Sequence, residues 1–417
     1  MRFIESSIRS LVLRQLLLAG FAVTLLAQEI SIPDPGLNAA IREALQKPSD
    51  PLTEQDLLSL TNLNARHRSV KSLDGLGAAR NLVSLDLGLN LLASFSLPAG
   101  LTNLTVLDLG FNPLTNFSLP SGLKNLERLL IVSDLLTSFT LPPGLTGLTE
   151  LNLAQNQLTN VDLPAGLTNL LSLDLFLNQL KTITLPEDLT SLTLLDLFEN
   201  ELTSLDLPSN LTHLASLYLG MNQLTNFSLP RGMKGLTNFD LGENQLISVT
   251  LPDDLNQLDL LRISGNTNLT NLTLPSGLTH LSGLFLRNNQ LTSLTLPPDM
   301  TQLASLFLDG NPITTLVLPE PLAATKLTAT VGALREQGVS VYTYPLEVRL
   351  LSPSQTAAEV VEVTLTAPPG IYTLLGSSDL IIWTEVDLAT NKLGEIVFAD
   401  VGANISTQRF YRARSGS

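Results

Sequence analysis

The chain has 417 residues, a formal net charge of -15 and 44% hydrophobic residues. So acidic a chain repels phosphate backbones and anionic lipid heads, which argues against nucleic acid and membrane surfaces as partners. The absence of cysteine excludes disulfides, thiolate metal sites and a Cys nucleophile.

Arg2, Arg9 and Arg14 precede the apolar run 16–27, LLLAGFAVTLLA, which polar Gln28 and Glu29 follow. A basic start and a short apolar run read as a secretory signal at 1–27, cut near Ala27. The run falls short of the ~20 apolar residues that a spanning helix needs. The expectation is a secreted or cell-surface protein with no stable membrane insertion after cleavage.

Residues 28–59 read as a helical cap. Pro33 and Pro35 hold the entry extended. Leu37, Ile41 and Leu45 recur at helical spacing and predict a helix over 36–46. Thr53 begins a second short helix, with an Asp near the capping-box position but read as off its spacing. Residues 60–76 form a divergent first unit, with Ala65 at a core Leu position and Arg68 where later units carry Asn.

From residue 82 one eleven-residue phrase returns about every 22 residues, as in LVSLDLGLNLL (82–92), LTVLDLGFNPL (104–114) and LLSLDLFLNQL (170–180). A second phrase, Leu-Pro, occurs eleven times from 97 to 319, spaced by 22 except for one step of 23. The extra residue falls in 265–272 and predicts a local bulge. L-x-x-L-x-L-x-x-N-x-L at a fixed period marks stacked units, and by this pattern the chain is identified as a member of the leucine-rich repeat family. The phrase IPDPGLNAAIREAL (32–45) nearly repeats the N-terminal caps of internalin-like secreted bacterial leucine-rich repeat proteins, which it resembles. The resemblance covers roughly 30–345 and implies protein–protein interaction.

The expected fold is mainly β, a solenoid over 60–322 with short strands on both faces and little helix. Each phrase gives a strand with alternate leucines inward. An Asn then turns the chain and satisfies loop backbone with its amide. The predicted ladder is Asn90, Asn112, Asn156, Asn178, Asn200, Asn222, Asn244, Asn266, Asn289 and Asn311, with Asp134 substituting once. The short return ending in Pro leaves no room for a helix on the back and predicts a second strand near Asn116–Leu119. A C-terminal cap follows over 323–345, with a helix near 328–337, Gly338 as its stop and a strand at 339–342. Residues 346–417 read as a small sandwich-like all-β domain with Trp383 in its core. The run from Tyr372 to Arg414 resembles a C-terminal β module of secreted bacterial proteins.

No catalytic, metal or cofactor site is expected. His213 and His280 hold one slot three coils apart and read as solvated loop residues. The outward acids Asp86, Asp108, Asp174, Asp196 and Asp240 read as the repeat's own habit, with a weak cation site or acid–base pair as lesser readings. The departures from consensus on the concave face are Phe176, Leu177, Leu194, Phe198, Tyr218 and Met221, with Phe285 and Phe307 further on. Exposed aromatics clustered on a repeat surface often mark a partner site, and the other reading is that these side chains only pack on one another across strands. The expected function is non-catalytic binding of a protein ligand. The alternatives are a glycan ligand, or a spacer that presents the C-terminal domain.

Overall fold

The computed structural model describes residues 28–356, 360–403 and 408–416, so the signal expected at 1–27 lies outside the described residues. Twelve three-residue strands, from Asn62–Asn64 to Ser305–Phe307, form one parallel sheet in chain order. Ser84 lies opposite Val106, and Asp174 opposite Asp196, a step of 22 residues. The single 23-residue step sets Gly283 opposite Leu260 and leaves this front sheet unbroken. Its extra residue is absorbed in the turn, where Leu269 N–H bonds Asn266 O, and that coil forms no strand on the back.

Period-two alternation explains the strands. The middle leucines Leu85, Leu107, Leu173, Leu195 and Leu217 are wholly buried, while the residues flanking each are half-buried on the open face. Burying a leucine contributes roughly 1.5–3 kcal/mol, and each coil buries several.

The Asn slot closes each coil onto the one before. Asn178 Oδ1 accepts from Leu158 N–H at 3.0 Å, and Nδ2 donates to Leu153 O and Leu175 O, both at 3.1 Å. Asn90, Asn222 and Asn244 make the same three bonds in their coils. Asp134, a carboxylate, lacks the two donor bonds of the set. Its Oδ1 accepts Asn112 N–H at 2.7 Å, while Oδ2 is buried without a partner. Burial pushes this carboxyl up to about 7, against the pull of the Asn112 and Leu114 N–H groups.

The predicted back strand occurs at Asn116–Ser118, paired with Ser94–Ser96. Two further pairs form at 138–162 and 226–250, and Ser293–Thr295 pairs with Thr315–Pro319. The rings of Phe95, Phe117 and Phe139 pack in file beneath this side, with centroids 5.1 and 6.5 Å apart.

At the N-terminal end, helix α1 (Pro35–Leu45) and helix α2 (Glu54–Ser59) cover the first coil. Asp34 caps α1 through Leu37 N–H and reaches across to Lys71 and Ser72 N–H. Burial opposes its charge, but these N–H groups outweigh burial and hold the carboxyl below its ordinary range. Thr53 and Asp56 stand at the true capping-box spacing, and both reciprocal bonds form, which corrects the expectation of a near miss. The hydrogen bonds from Lys47 and Thr53 hold Asp56 down at about 2.

At the other end a short helix, α3 (Glu320–Ala324), precedes the expected one, α4 (Thr328–Glu336). Pro321 in the first turn of α3 is its signal in the sequence. Gly338 stops the chain at φ 84°, and Ser340–Tyr344 joins the back sheet beside Thr315–Pro319.

Beyond residue 346 lie two antiparallel sheets around Val363, Leu365, Tyr372, Leu374 and Phe398. Trp383 is not in that core. Asp379 Oδ1 takes the N–H groups of Ile381 and Ile382, each at 2.8 Å, and bends the chain before the strand begins at Thr384. Ile381 is left 82% exposed, and Trp383 is half-buried with the Arg412 guanidinium 4.4 Å above its ring.

Candidate functional site

The front sheet presents one outward residue at the end of each strand and a second two residues later. The first is often Asp for a local reason. Asp86 Oδ1 accepts Gly88 N–H, and Asp108, Asp174, Asp196 and Asp240 accept from Gly110, Phe176, Phe198 and Gly242 in the same way. Each carboxylate thus ends its own strand. Burial raises the carboxyls of Asp174 and Asp240, and lifts Asp196 to about 6.

The second position reads Arg66, Gly88, Gly110, Val132, Ala154, Phe176, Phe198, Gly220, Gly242, Ser264, Arg287 and Asp309. Aromatic rings occupy it in two adjacent coils alone. The Phe176 and Phe198 rings are 6.1 Å apart and tilted by 41°. Phe198 leans over Gly220, where a Cβ would come within 2.6 Å of its ring, so a larger residue there would displace the ring. Together with Asp196, Tyr218, Asn238, Asp240 and Arg262 these rings line an open cavity of about 490 Å³.

Of the sequence-chosen residues, Phe176, Phe198 and Tyr218 meet at this cavity. Leu194 lies at the start of its strand, half-buried. Leu177 and Met221 are exposed for another reason: they occupy a turn position with φ 54° and 52° that every regular coil shares, as Phe111 does at 61°. Phe285 and Phe307 stack apart from the cavity, with centroids 5.0 Å apart. Arg262 lies 5.0 Å from the Phe285 ring centroid, and Arg287 4.3 Å from that of Phe307. Asn238 and Arg262 escaped the sequence reading, because only the stacking of coils brings them beside Tyr218. His213 and His280 each direct Nδ1 at a carbonyl of the coil before, the place where Asn103 and Asn169 donate.

Six copies of the BspA type leucine rich repeat region match the chain, over 110–219, 171–260 and 196–314. The chain is a leucine-rich repeat protein. No curated protein matches it. Among solved structures, this leucine-rich repeat chain is similar to an internalin, InlF, from Listeria monocytogenes, with 26% identity and a TM-score of 0.50. That match covers 77% of this chain and 98% of the internalin. The functional domain of InlJ from the same organism matches at 20% identity and a TM-score of 0.46, covering 81% of this chain and 94% of that one. The repeat-family match does not reach the β module beyond 346. Among the described residues no helix is long and apolar enough to cross a membrane.

Proposed function

We propose that this leucine-rich repeat protein is a non-catalytic secreted or cell-surface binding protein whose front face holds another protein. In this reading 1–27 is a signal, 28–59 and 323–345 cap the solenoid of 60–322, and 346–417 is a separate β module. One observation carries it. Phe176, Phe198 and Tyr218, from three successive coils, open together onto the front face without being part of the core. Aromatic side chains gathered on a rigid surface are the usual anchors of an interface. The likeness to an internalin supports the same reading. A carbohydrate ligand is the second reading, favoured by the placing of Asp196, Asn238 and Asp240 beside those rings.

The test is capture of a surface protein by the exported chain, compared with a Phe176→Asp/Phe198→Asp variant. Both rings lie outside the core, so the variant is expected to keep its fold by circular dichroism and to lose the captured protein. Retention of the same partner by the variant would remove the front face from the argument.

A further inference from the structure

Three stations along the front face handle charge and aromatic rings differently. At the first, Arg66 reaches over Gly88 and sets Nη1 3.5 Å from Asp86 and 3.2 Å from Asp108. At the third, Arg262 and Arg287 lie over the rings of Phe285 and Phe307, and Arg287 also bonds Asp309 at 3.0 Å. The chain therefore places its own guanidinium on an adjacent Asp pair at one station and on an adjacent Phe pair at another.

The second station combines both. Asp174 and Asp196 are neighbours in register, and Phe176 and Phe198 follow them. Among the described residues no Lys or Arg pairs with either acid. Asp174 uses both oxygens, on Phe176 N–H and on Asn152 Nδ2. Asp196 is bonded through Oδ1 alone, to Phe198 N–H. The nearest cation lining the cavity, Arg262, stands in register with Asp240 and leans on Phe285.

We propose that Asp196, walled by Phe176, Phe198 and Tyr218, is an anchor for an arginine side chain of the protein partner. The proposal rests on reading the front face as a protein-binding surface. A guanidinium fits because its edge pairs with a carboxylate while its plane stacks on rings. An apolar side chain closing the cavity would leave the half-buried Asp196 charge unpaired, which is costly. The net charge of -15 draws a basic partner in from a distance.

The test uses the exported chain labelled with 3-fluorotyrosine. The Tyr218 signal is assigned by its loss in Tyr218→Phe. The probes are the blocked tripeptide Gly-Arg-Gly and its citrulline counterpart, which has the same shape without the charge. The arginine peptide is expected to move the Tyr218 signal and saturate in the millimolar range, with citrulline at least about tenfold weaker. Asp196→Asn is expected to weaken the arginine peptide to the citrulline level without lowering the unfolding temperature. Equal binding of the two peptides, or undiminished binding to Asp196→Asn, overturns the proposal. So does a Tyr218 signal moved by malto-oligosaccharide but by neither peptide. If no peptide binds and Phe176→Asp/Phe198→Asp still abolishes partner capture, the anchor fails and the binding face stands. If that variant keeps the partner, the face fails as well.

Discussion

Two rows of side chains run along this solenoid at one spacing and obey different rules. The inner row is Asn in nearly every coil, and each amide bonds backbone groups of its own coil and of the coil before. The outer row, two residues past each front strand, holds Gly, Val, Ala, Phe, Ser, Arg and Asp. A buried position facing one N–H and two carbonyls has one chemical solution. An outer position is bound through its backbone N–H, so its side chain is free to vary. A departure in the inner row is therefore a defect, and a departure in the outer row is a place to look for function.

Asp134 is the defect, and repairing it gives the largest expected effect. The carboxyl stands at about 7 in the folded chain, against an ordinary 3.8, because burial disfavours its charge. The folded state holds the proton more tightly than the unfolded chain does. Stability from this group is therefore complete below about pH 4 and is lost as pH rises towards 7. A shift of that size corresponds to about 4 kcal/mol. Asp134→Asn supplies the missing donor towards the carbonyls that its neighbours use. Denaturant unfolding of the variant should show a gain of about 4 kcal/mol at pH 8 that shrinks to almost nothing at pH 4. A gain independent of pH would mean that the proton is not the cause.

The converse change has a somewhat smaller effect. Asn178→Ala orphans the buried Leu158 N–H, takes one of the two amide donors from each of Leu153 O and Leu175 O, and leaves a cavity. The expected loss is about 3 kcal/mol, read from the same denaturant curves. It should be similar at Asn222, whose bonds are the same.

The same contrast explains what could be read in advance. Coil period, inward leucines and the Asn ladder were legible because burial leaves so little choice at those positions. The Arg66 bridge to Asp86 and Asp108 was not, since a long side chain spanning two coils has no signature in spacing. Thr53 and Asp56 carry the Thr-x-x-Asp spacing of a capping box, so that helix start was legible. The alternation of Ile381 with Trp383 misled, because Asp379 turns the chain there before the strand begins. The strands Arg349–Leu350 and Ser354–Gln355 are too short to alternate at all. Of the cavity, the rings were legible as breaks in a consensus. Asp196 was not, because an acid in that slot looks like the others until its unbonded second oxygen and the rings around it are seen together.

Met221 gives the smallest effect and separates the two rules at a single position. It is 45% exposed, and its φ of 52° belongs to a turn that each regular coil repeats. Gly265 and Gly310 fill that place in two coils and Asn288 in another. A bulky side chain there carries a left-handed backbone that costs roughly 1 kcal/mol, which asparagine partly relieves. Met221→Asn should therefore raise stability by about 0.5 kcal/mol, read from denaturant unfolding and visible as a rise of about half a degree in unfolding temperature. If partner capture is unchanged as well, Met221 is exposed because the turn exposes it, and the interface shrinks to the three rings around Asp196. If capture weakens while stability rises, the chain holds a strained, exposed methionine against its own stability, and the interface extends past the cavity to the sheet's edge.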